Sequence, residues 1–275
     1  MNILYFLVAI ILLVFIIWCI LLIPRRKHPG WTKLDGYLYA HRGLHDLEHG
    51  IPENSMTAFR AAVEHGFGAE LDVHLMADGN LAVVHDSKLT RLCGRDERIE
   101  DLRLEDLKDY PLLGGDDETI PLLADVLEVF AGKTPLIVEL KVVDGNTAAL
   151  TDSTMKVLDQ YPDLSYCIES FHPSVVAHLK KHYPNVIRGQ LSENFMKSGN
   201  SMPRWQAFVM TWLLLTNFTR PDFIAYRWKD RSIPSLRLMR ALYGVREVSW
   251  TVREKSVMDK LVKDGCMVIF EKFIP

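Results

Sequence analysis

Short apolar runs alternate with longer helix-like segments along most of the chain. From residue 37 onward, β-prone runs of four to six residues are separated by segments long enough for a helix, which is typical of β-α-β units and a parallel sheet. The predicted strands are Tyr37–Ala40, Gly68–Val73, Leu136–Leu140, Tyr166–Ser170, Val186–Leu191, Asp222–Tyr226, Glu247–Thr251 and Met267–Phe270. Eight such units predict an α/β fold, a (β/α)8 barrel with its functional residues at the carboxyl ends of the strands. A doubly wound sheet is the alternative, but no glycine-rich loop follows the first strand.

One further apolar run, Leu81–Val84, lies too close to the second strand for a crossover and predicts a hairpin. The sequence Ala-Asp-Gly-Asn at 77–80 is a strong turn signal. With the Asp-Gly pair as a two-residue turn, Asp72 lies opposite His85. Because strand side chains alternate, Glu70 and Asp72 share a face. The hairpin is therefore expected to bring His85 beside two carboxylates.

The first 24 residues differ from the rest of the chain. Residues 3–23 contain no charge, and about 20 apolar residues suffice to cross the roughly 30 Å hydrocarbon core of a bilayer. A cleaved signal peptide is the alternative, but no Lys or Arg precedes the run and no small-x-small cleavage site follows it. Arg25, Arg26 and Lys27 follow directly. We therefore predict a single-pass membrane anchor over 1–24, with the remainder of the chain in the cytoplasm.

The rest of the chain divides into a short linker and one large domain. Residues 25–36 are basic and contain Pro and Gly, which predicts a linker, and residues 37–275 predict the barrel domain. Two insertions are expected, a small polar one at about 87–120, after the second strand, and a longer one at about 194–220. The centre of the second, Ala207–Phe218, is apolar and uncharged. It is either a helix buried against the barrel or a segment that docks at a membrane interface.

Charge and cysteine content exclude some classes of function. Thirty-two basic and 35 acidic residues give a net charge of −3, so no polyanion-binding surface and no nucleic-acid partner is expected. The four cysteines are scattered singly, one of them within the apolar run. Their spacing fits neither a disulfide framework nor a structural zinc site, which indicates a reducing compartment.

Three carboxylates lie near the ends of neighbouring predicted strands: Glu70 and Asp72 on the second, and Glu139 on the next strand of the barrel. Together they would repel one another and raise their pKa values unless a cation lay among them. Ligation by oxygen alone favours Mg²⁺ or Ca²⁺ over zinc. Ion pairs with Arg or Lys at the barrel rim are the competing interpretation.

His41 ends the first strand and His85 ends the hairpin, so these two of the ten histidines are the best placed for chemistry. Imidazole is the usual proton-transfer group near pH 7, and phosphodiester cleavage needs both a base and an acid. Arg42 and Lys141 could neutralise phosphate oxygens as charge builds up. A core histidine with satisfied hydrogen bonds, or a rim salt bridge, is the structural alternative for each.

As a set, these motifs closely resemble the glycerophosphodiester phosphodiesterases in order and spacing. The resemblance rests on His41-Arg42-Gly43, Glu53-Asn54-Ser55, Glu70-Leu71-Asp72-Val73, Asp78-Gly79, His85-Asp86 and Glu139-Leu140-Lys141, with Ser170-Phe171 and Trp250-Thr251-Val252 similar to later strand motifs. It covers roughly Tyr37 to Pro275 and is strongest in the first half. It implies a metal-dependent TIM-barrel hydrolase that splits glycerophosphodiesters into an alcohol and glycerol 3-phosphate.

The resemblance also implies roles for individual residues. It assigns His41 and His85 as the acid/base pair, Arg42 and Lys141 as phosphate contacts, and Glu70, Asp72 and Glu139 as ligands of Mg²⁺ or Ca²⁺. Either histidine could start as the base, and either the substrate's own 2-hydroxyl or water could attack. The apolar insertion on an anchored enzyme extends the expected substrates to lysophospholipids. A related phospholipase of phosphoinositide or sphingolipid specificity, or an inactive membrane-anchored scaffold, is the alternative.

Two features depart from the family's pattern. The last strand ends Ile269-Phe270-Glu271-Lys272, where the family more often has Thr-Asp before its last proline. The insertion at 194–220 is also larger and more apolar than a minimal member needs. Neither is expected to touch the acid/base pair, so activity is expected to be intact, and the choice of substrate is the property left open.

Overall fold

The computed structural model of the protein describes residues 3–25, 28–116, 118–197, 199 and 202–275. Arg26 and Lys27 of the predicted basic flank lie outside the described residues. The strands within these ranges are β1 (Leu38–His41), β2 (Gly68–Leu75), β3 (Leu81–Val83), β4 (Leu136–Leu140), β5 (Tyr166–Ser170), β6 (Arg188–Ser192), β7 (Phe223–Arg227), β8 (Arg246–Val252) and β9 (Met267–Phe270). The α-helices are α1 (Ile3–Leu21), α2 (Met56–Glu64), α3 (Thr90–Cys93), α4 (Leu123–Phe130), α5 (Thr147–Leu158), α6 (Pro173–His182), α7 (Arg204–Thr211), α8 (Thr216–Thr219), α9 (Pro234–Tyr243) and α10 (Lys255–Lys263).

Eight of these strands close into a parallel barrel. Its order is β1-β2-β4-β5-β6-β7-β8-β9, and β9 pairs back with β1. Each neighbouring pair is parallel, which requires a crossover on the outside of the barrel between successive strands. The predicted (β/α)8 barrel is confirmed, and each predicted barrel strand agrees with the observed one to within two residues.

The hairpin of β2 and β3 is present, but the predicted register is wrong by one residue. Val73 pairs with Val83, and the Met76 amide donates to the Asn80 carbonyl. Residues 77–79 therefore form a three-residue loop, in which Gly79 has φ +88°. A loop of this length ends on a left-handed residue, for which glycine is suited. Asp72 consequently lies opposite Val84 and not opposite His85.

Large aromatic side chains fill the barrel, and glycines on neighbouring strands make room for them. A Cβ atom at Gly189 would lie 2.1 Å from the Phe223 ring, and one at Gly68 would lie 2.7 Å from the Tyr39 ring. Trp31 lies 5.4 Å from Phe223 between ring centroids. Trp31 belongs to the 25–36 segment predicted as a linker. Where it is described, this segment packs against the amino-terminal end of the barrel.

The first insertion forms a small hydrophobic cluster of its own. Leu89, Ile99 and Leu107 are buried there together with Val84 of the hairpin. The polypeptide is held in short turns of 3₁₀ helix and in α3, and Asp117 lies outside the described residues. The excursion after the second strand is therefore present, and it packs directly on the hairpin that carries His85.

Helix α1 is exposed along its length but docked at its carboxyl end. Among the described residues it is the one helix long and apolar enough to cross a membrane, with a mean hydropathy of 3.2. Trp18 packs edge-on against Trp212 at 6.1 Å between centroids. The Tyr243 hydroxyl donates to the Cys19 carbonyl at 2.8 Å, and Leu22 is fully buried. The candidate anchor is thus joined to the body by packing as well as by the chain.

The second insertion has one buried and one exposed face. Ala207 and Leu213 are buried, whereas Trp205, Phe208 and Phe218 have 67%, 47% and 66% of their surface exposed. Residues 198, 200 and 201 lie outside the described residues. The buried face agrees with a helix packed on the barrel, and the exposed row of large apolar side chains leaves membrane docking a prediction.

Candidate active site

The three carboxylates predicted from spacing meet at the carboxyl ends of β2 and β4. Asp72 and Glu139 are register partners across the two strands, and Glu70 lies two residues earlier on the same face. One oxygen of each of Glu70, Asp72 and Glu139 lies within 4.8 Å of the others. All three residues are buried, at 6% exposure or less. Parallel pairing and side-chain alternation together account for this arrangement.

Burial and mutual repulsion perturb these carboxylates strongly. Burial and the neighbouring charges of Asp72 and Glu139 raise the pKa of Glu70 well above its usual value. Burial, opposed by Lys141, raises the pKa of Glu139 to about 7. Burial alone would also raise the pKa of Asp72, but Lys141, then His85 and Arg42, hold it well below its usual value. The cluster is therefore short of positive charge, which is the environment that a divalent cation relieves.

Two cationic side chains neutralise part of this charge. The Lys141 ammonium lies 2.9 Å from an oxygen of Asp72 and 2.7 Å from one of Glu139. The Arg42 guanidinium lies 2.6 Å from Glu53 and 3.4 Å from Asp72. The rim ion pairs considered from the sequence are thus present, and the same contacts hold both cations at the mouth of the barrel.

The His-Arg-Gly motif places Arg42 by means of an unusual backbone conformation. Arg42 and Gly43 have φ values of +55° and +79°, in the left-handed region that only glycine enters freely. A Cβ at Gly43 would lie 2.8 Å from Ala58 of α2. The turn directs the Arg42 amide to Glu70 at 3.2 Å. Glycine at position 43 is therefore required by both conformation and packing.

The Glu-Asn-Ser motif has two separate functions in the structure. The Ser55 hydroxyl accepts a hydrogen bond from the Ala58 amide and caps α2, as the sequence indicated. The Asn54 amide donates to Asp72 at 2.9 Å, and Asn54 is itself buried with φ +54°. Glu53 bridges Arg42 and Arg91. The motif thus supports the carboxylate cluster from the side of α2.

His41 is held by a carboxylate from the last strand of the barrel. Its Nδ1 lies 2.5 Å from an oxygen of Glu271. Because an ionised carboxylate only accepts hydrogen bonds, Nδ1 carries the hydrogen and Nε2 is left to face the cluster, 4.0 Å from Glu70. Burial lowers the pKa of His41, and the hydrogen bond to Glu271 opposes part of that effect.

This contact makes one prediction from the sequence wrong. Glu271, the departure from the family's pattern, touches His41 directly, and its other oxygen accepts from Arg253 at 2.5 Å. Burial would raise the pKa of Glu271, but hydrogen bonds from His41 and Arg253, with the His45 imidazole 3.9 Å away, hold it well below its usual value. The alternation of Met267, Ile269 and Glu271 along β9 was the signal that could have predicted an inward side chain at 271.

His85 is held in the same manner by its sequence neighbour. Its Nδ1 lies 2.6 Å from Asp86, which also accepts from Arg91 at 2.7 Å. Burial lowers the pKa of His85 to about 4, with Lys141 and Arg42 adding to the effect and Asp72 opposing it. The hairpin therefore brings His85 within electrostatic range of the carboxylates, although its register differs from the predicted one.

A fourth carboxylate, Glu169 of β5, was missed in the sequence. It is the register partner of Glu139 and is 1% exposed. Burial raises its pKa well above the usual value, with Glu139 and Asp72 contributing further. Burial therefore favours the protonated, uncharged form of this carboxyl group. The inward alternation of Cys167, Glu169 and Phe171 along β5 carried the signal.

The chain is similar to known proteins over most of its length. A sequence model of the Glycerophosphoryl diester phosphodiesterase family matches residues 41–274. A glycerophosphodiester phosphodiesterase of Caldanaerobacter subterraneus is 28% identical over 235 residues, which cover 82% of this chain and 89% of that protein. A human protein named Lysophospholipase D GDPD1 is 34% identical over 123 residues, covering 40% of this chain and 37% of that protein. A phosphodiesterase of Oleispira antarctica, solved in complex with the product sn-glycerol-3-phosphate, has a TM-score of 0.72 and 23% identity, covering 88% of this chain and 94% of that one. At that identity the structural match shows the fold alone.

Proposed function

The chain belongs to the Glycerophosphoryl diester phosphodiesterase family of phosphoric diester hydrolases, and from this premise we propose how its barrel mouth performs the reaction. The proposed reaction is the hydrolysis of a glycerophosphodiester to an alcohol and glycerol 3-phosphate. The observation that carries the proposal is the pairing of two carboxylate-held histidines, His41 and His85, around one buried carboxylate cluster. A purely structural set of ion pairs would not need two imidazoles that are each held through Nδ1 by a carboxylate.

The cluster of Glu70, Asp72 and Glu139 would hold the divalent metal. Its ligand atoms are all carboxylate oxygens, are buried and lie within 4.8 Å of one another, which suits Mg²⁺ or Ca²⁺. Bound there, the metal would supply positive charge that polarises the phosphodiester. Lys141 contributes positive charge at the same place, so its ammonium and the phosphate oxygens would come together when the substrate is bound.

The two histidines would move the protons. One Nε2 takes the proton of the attacking oxygen, from water or from the substrate's own 2-hydroxyl, and the other gives a proton to the departing alkoxide. When the 2-hydroxyl attacks, water then opens the cyclic phosphate to give glycerol 3-phosphate. Glu271 and Asp86 fix the ring of each histidine and leave Nε2 available. Burial lowers the pKa of both rings. The negative charge of a bound phosphodiester acts in the opposite direction, and so it favours protonation of the histidine that serves as the acid.

Alanine substitution tests the acid/base pair. We expect His41→Ala and His85→Ala each to abolish release of choline from glycerophosphocholine while leaving thermal unfolding near that of wild type. His49→Ala is the matched control, because His49 is exposed and pairs only with Asp46 among the contacts of the described residues. A near-normal rate in either active-site variant would overturn the assignment.

We propose that α1 is a retained single-pass anchor and that the barrel lies in the cytoplasm. The support is its length and hydropathy, the positive flank that begins at Arg25, and its exposed apolar surface. Because Trp18 and Leu22 pack on the body, the barrel would be held at a fixed orientation to the bilayer. Protease protection of the amino terminus, with the body digested from the cytoplasmic side, would test this topology.

The exposed face of α7 and α8 would then contact the membrane interface. Trp212 is a poor place to test this contact, because it packs against Trp18 and a charge there would also disturb the docking of α1. Phe208 and Phe218 are the better probes. We expect Phe208→Asp and Phe218→Asp to reduce turnover on lipid aggregates selectively. An equal loss on glycerophosphocholine would contradict membrane contact and indicate damage to the fold.

A further inference from the structure

His85 lies beyond the last paired residue of the hairpin, so contacts outside the sheet hold the backbone that carries it. The Val84 amide still donates to the Asp72 carbonyl at 3.0 Å. From His85 onward the chain leaves the hairpin and enters the first insertion. Asp86 fixes the ring of His85 at Nδ1, but the ring can be placed no better than the backbone to which it is attached.

A buried histidine on the neighbouring strand makes one of these contacts. His74 follows Asp72 by two residues and so shares its face of β2, and its side chain is 3% exposed. Its Nε2 lies 3.2 Å from the backbone carbonyl oxygen of His85. Because a carbonyl oxygen only accepts hydrogen bonds, Nε2 is the donor. His74 therefore holds the backbone of His85 and leaves the ring of His85 to Asp86.

The other ring nitrogen of His74 is tied to the first insertion. Nδ1 lies 2.6 Å from one oxygen of Glu100. The second oxygen of Glu100 accepts from the Ser87 hydroxyl at 2.6 Å, and the Ser87 carbonyl accepts from the Ile99 amide at 2.9 Å. Burial raises the pKa of Glu100, but hydrogen bonds with His74 and Ser87 lower it to about 2, so the carboxylate is ionised and only accepts. Residues 85–87 are thereby held at both ends.

We propose that His74 is a positioning residue that sets the place of His85 at the barrel mouth through the His85 carbonyl and is itself oriented by Glu100. The inference rests on the proposed function, in which His85 transfers a proton. Proton transfer requires the two heavy atoms to lie within about 2.6–3.2 Å of each other, and a misplacement of about 1 Å can lower a rate by about a hundredfold. Loss of the contact should therefore reduce kcat more than it weakens substrate binding.

Two substitutions separate the two contacts of His74. The amide nitrogen of glutamine reaches the place of Nε2, whereas that of asparagine lies near the place of Nδ1. His74→Gln therefore keeps a donor for the His85 carbonyl and loses the contact with Glu100. His74→Asn keeps the contact with Glu100 and loses the donor to His85. A side chain that only fills space, or only neutralises Glu100, would not favour glutamine over asparagine.

The assay is choline release from glycerophosphocholine at saturating metal, with the full-length protein in detergent micelles and thermal unfolding measured in parallel. We expect kcat of His74→Asn to fall about tenfold, which is about 1.4 kcal/mol and of the size of one hydrogen bond, while KM stays within about twofold. For His74→Gln, kcat should stay within about threefold of wild type. Equal losses of kcat in the two variants, or no loss in either, would overturn the proposal.

Asp78→Ala is the matched control for general loosening of the insertion. Asp78 is exposed and accepts from the Leu104 amide at 2.8 Å, so it ties the hairpin to the same insertion at the opposite end from His85. This variant should lower Tm and leave kcat unchanged. A tenfold loss of kcat in Asp78→Ala as well would show that any loosening of the insertion lowers the rate, which would overturn a specific role for His74.

Hydrogen exchange separates this inference from the proposed function, because it requires no turnover. Exchange of the backbone amides of 85–87, followed by mass spectrometry, should be faster in His74→Asn than in His74→Gln or wild type. If glycerophosphocholine is cleaved but exchange and kcat are the same in both variants, the positioning role is overturned and the hydrolase remains. If wild type cleaves no diester, the hydrolase is overturned, and the exchange rate of 85–87 still decides whether His74 fixes the place of His85.

Discussion

Replacing Glu271 by glutamine is the sharpest test of how the site is positioned. The substitution keeps the size of the side chain and removes its negative charge. Glu271 accepts a hydrogen bond of 2.5 Å from His41, and its side chain is only 6% exposed. The amide can also present its NH₂ group to Nδ1, which would favour the tautomer with the hydrogen on Nε2. His41 would then lose both its orientation and its free Nε2 lone pair.

The expected magnitude follows from the kind of bond that is lost. Hydrogen bonds to charged groups contribute about 1.5–3 kcal/mol. The low exposure of Glu271 means that little of this is lost to screening by solvent. At about 1.36 kcal/mol per factor of ten, kcat should fall roughly 10- to 150-fold. KM should change little, because Glu271 positions a proton-transfer group and is not proposed to bind the substrate.

The pH profile gives a second readout that a general loss of stability would not produce. Burial lowers the pKa of His41, and Glu271 raises it. Removing the carboxylate therefore lowers that pKa further. If His41 acts as the base, the acidic limb of the kcat profile moves to lower pH. If it acts as the acid, the alkaline limb moves to lower pH, so the same experiment distinguishes the two roles.

The assay is choline release from glycerophosphocholine at saturating metal, with thermal unfolding measured in parallel. Glu271→Asp restores the charge on a shorter side chain and should recover part of the activity. Arg253→Gln is the matched control, because Arg253 contacts the opposite oxygen of Glu271 and is 62% exposed; it should cost less than about 1 kcal/mol, or roughly fivefold. A Glu271→Gln variant with kcat within twofold of wild type and an unshifted pH profile would show that Glu271 does not position His41.

Three further predictions concern the metal, the acid stability and the barrel interior. Treatment with EDTA should abolish turnover, and Mg²⁺ or Ca²⁺ should restore it; activity that persists in EDTA would contradict a role for the carboxylate cluster. Burial raises the pKa of Glu100, but hydrogen bonds with His74 and Ser87 outweigh it and lower the pKa to about 2. Because the pKa of Glu100 is depressed in the folded state, its ionised form stabilises the fold above about pH 4.3, the pKa in the unfolded chain. This stabilisation is lost as the pH falls towards 2. Glu100→Gln should therefore flatten the decrease in Tm across that range. Gly189→Ala should lower the free energy of unfolding by about 1–3 kcal/mol, because the added methyl group overpacks against Phe223. Urea denaturation measures this change. An unchanged midpoint would show that the barrel interior can relax.

The strands and the carboxylate cluster could be predicted because their determinants are local. Side chains along a strand alternate with a period of two residues, so Glu70 and Asp72 share a face wherever the strand lies. Repeated β-α units require parallel neighbouring strands. Glu139 follows from the same two rules, applied to the next strand of the barrel. The structure brings these three side chains together as predicted.

The hairpin register could not be read from the turn sequence alone. A two-residue and a three-residue loop both suit Asp-Gly, and they differ by one residue in pairing. The structure selects the longer loop, with Val73 opposite Val83. Strand pairing ends before His85, so this side chain still lies near the carboxylate cluster. The one-residue difference in register therefore changed the pairing of the two strands but not the group of residues that His85 approaches.

Contacts between distant parts of the chain were decided only by closure of the barrel. Glu271 meets His41 across 230 residues because β9 returns to pair with β1, and alternation along β9 could indicate an inward side chain but not its partner. The same holds for α1, whose hydropathy predicts a membrane span while its docking against Trp212 depends on where β6 and β7 place the second insertion. Which side chains face inward and how polar each segment is depend on near neighbours along the chain, and so both could be read before any fold was known. Which inward side chains meet depends on the position of every strand in the closed sheet, and so it could be known only from the folded barrel.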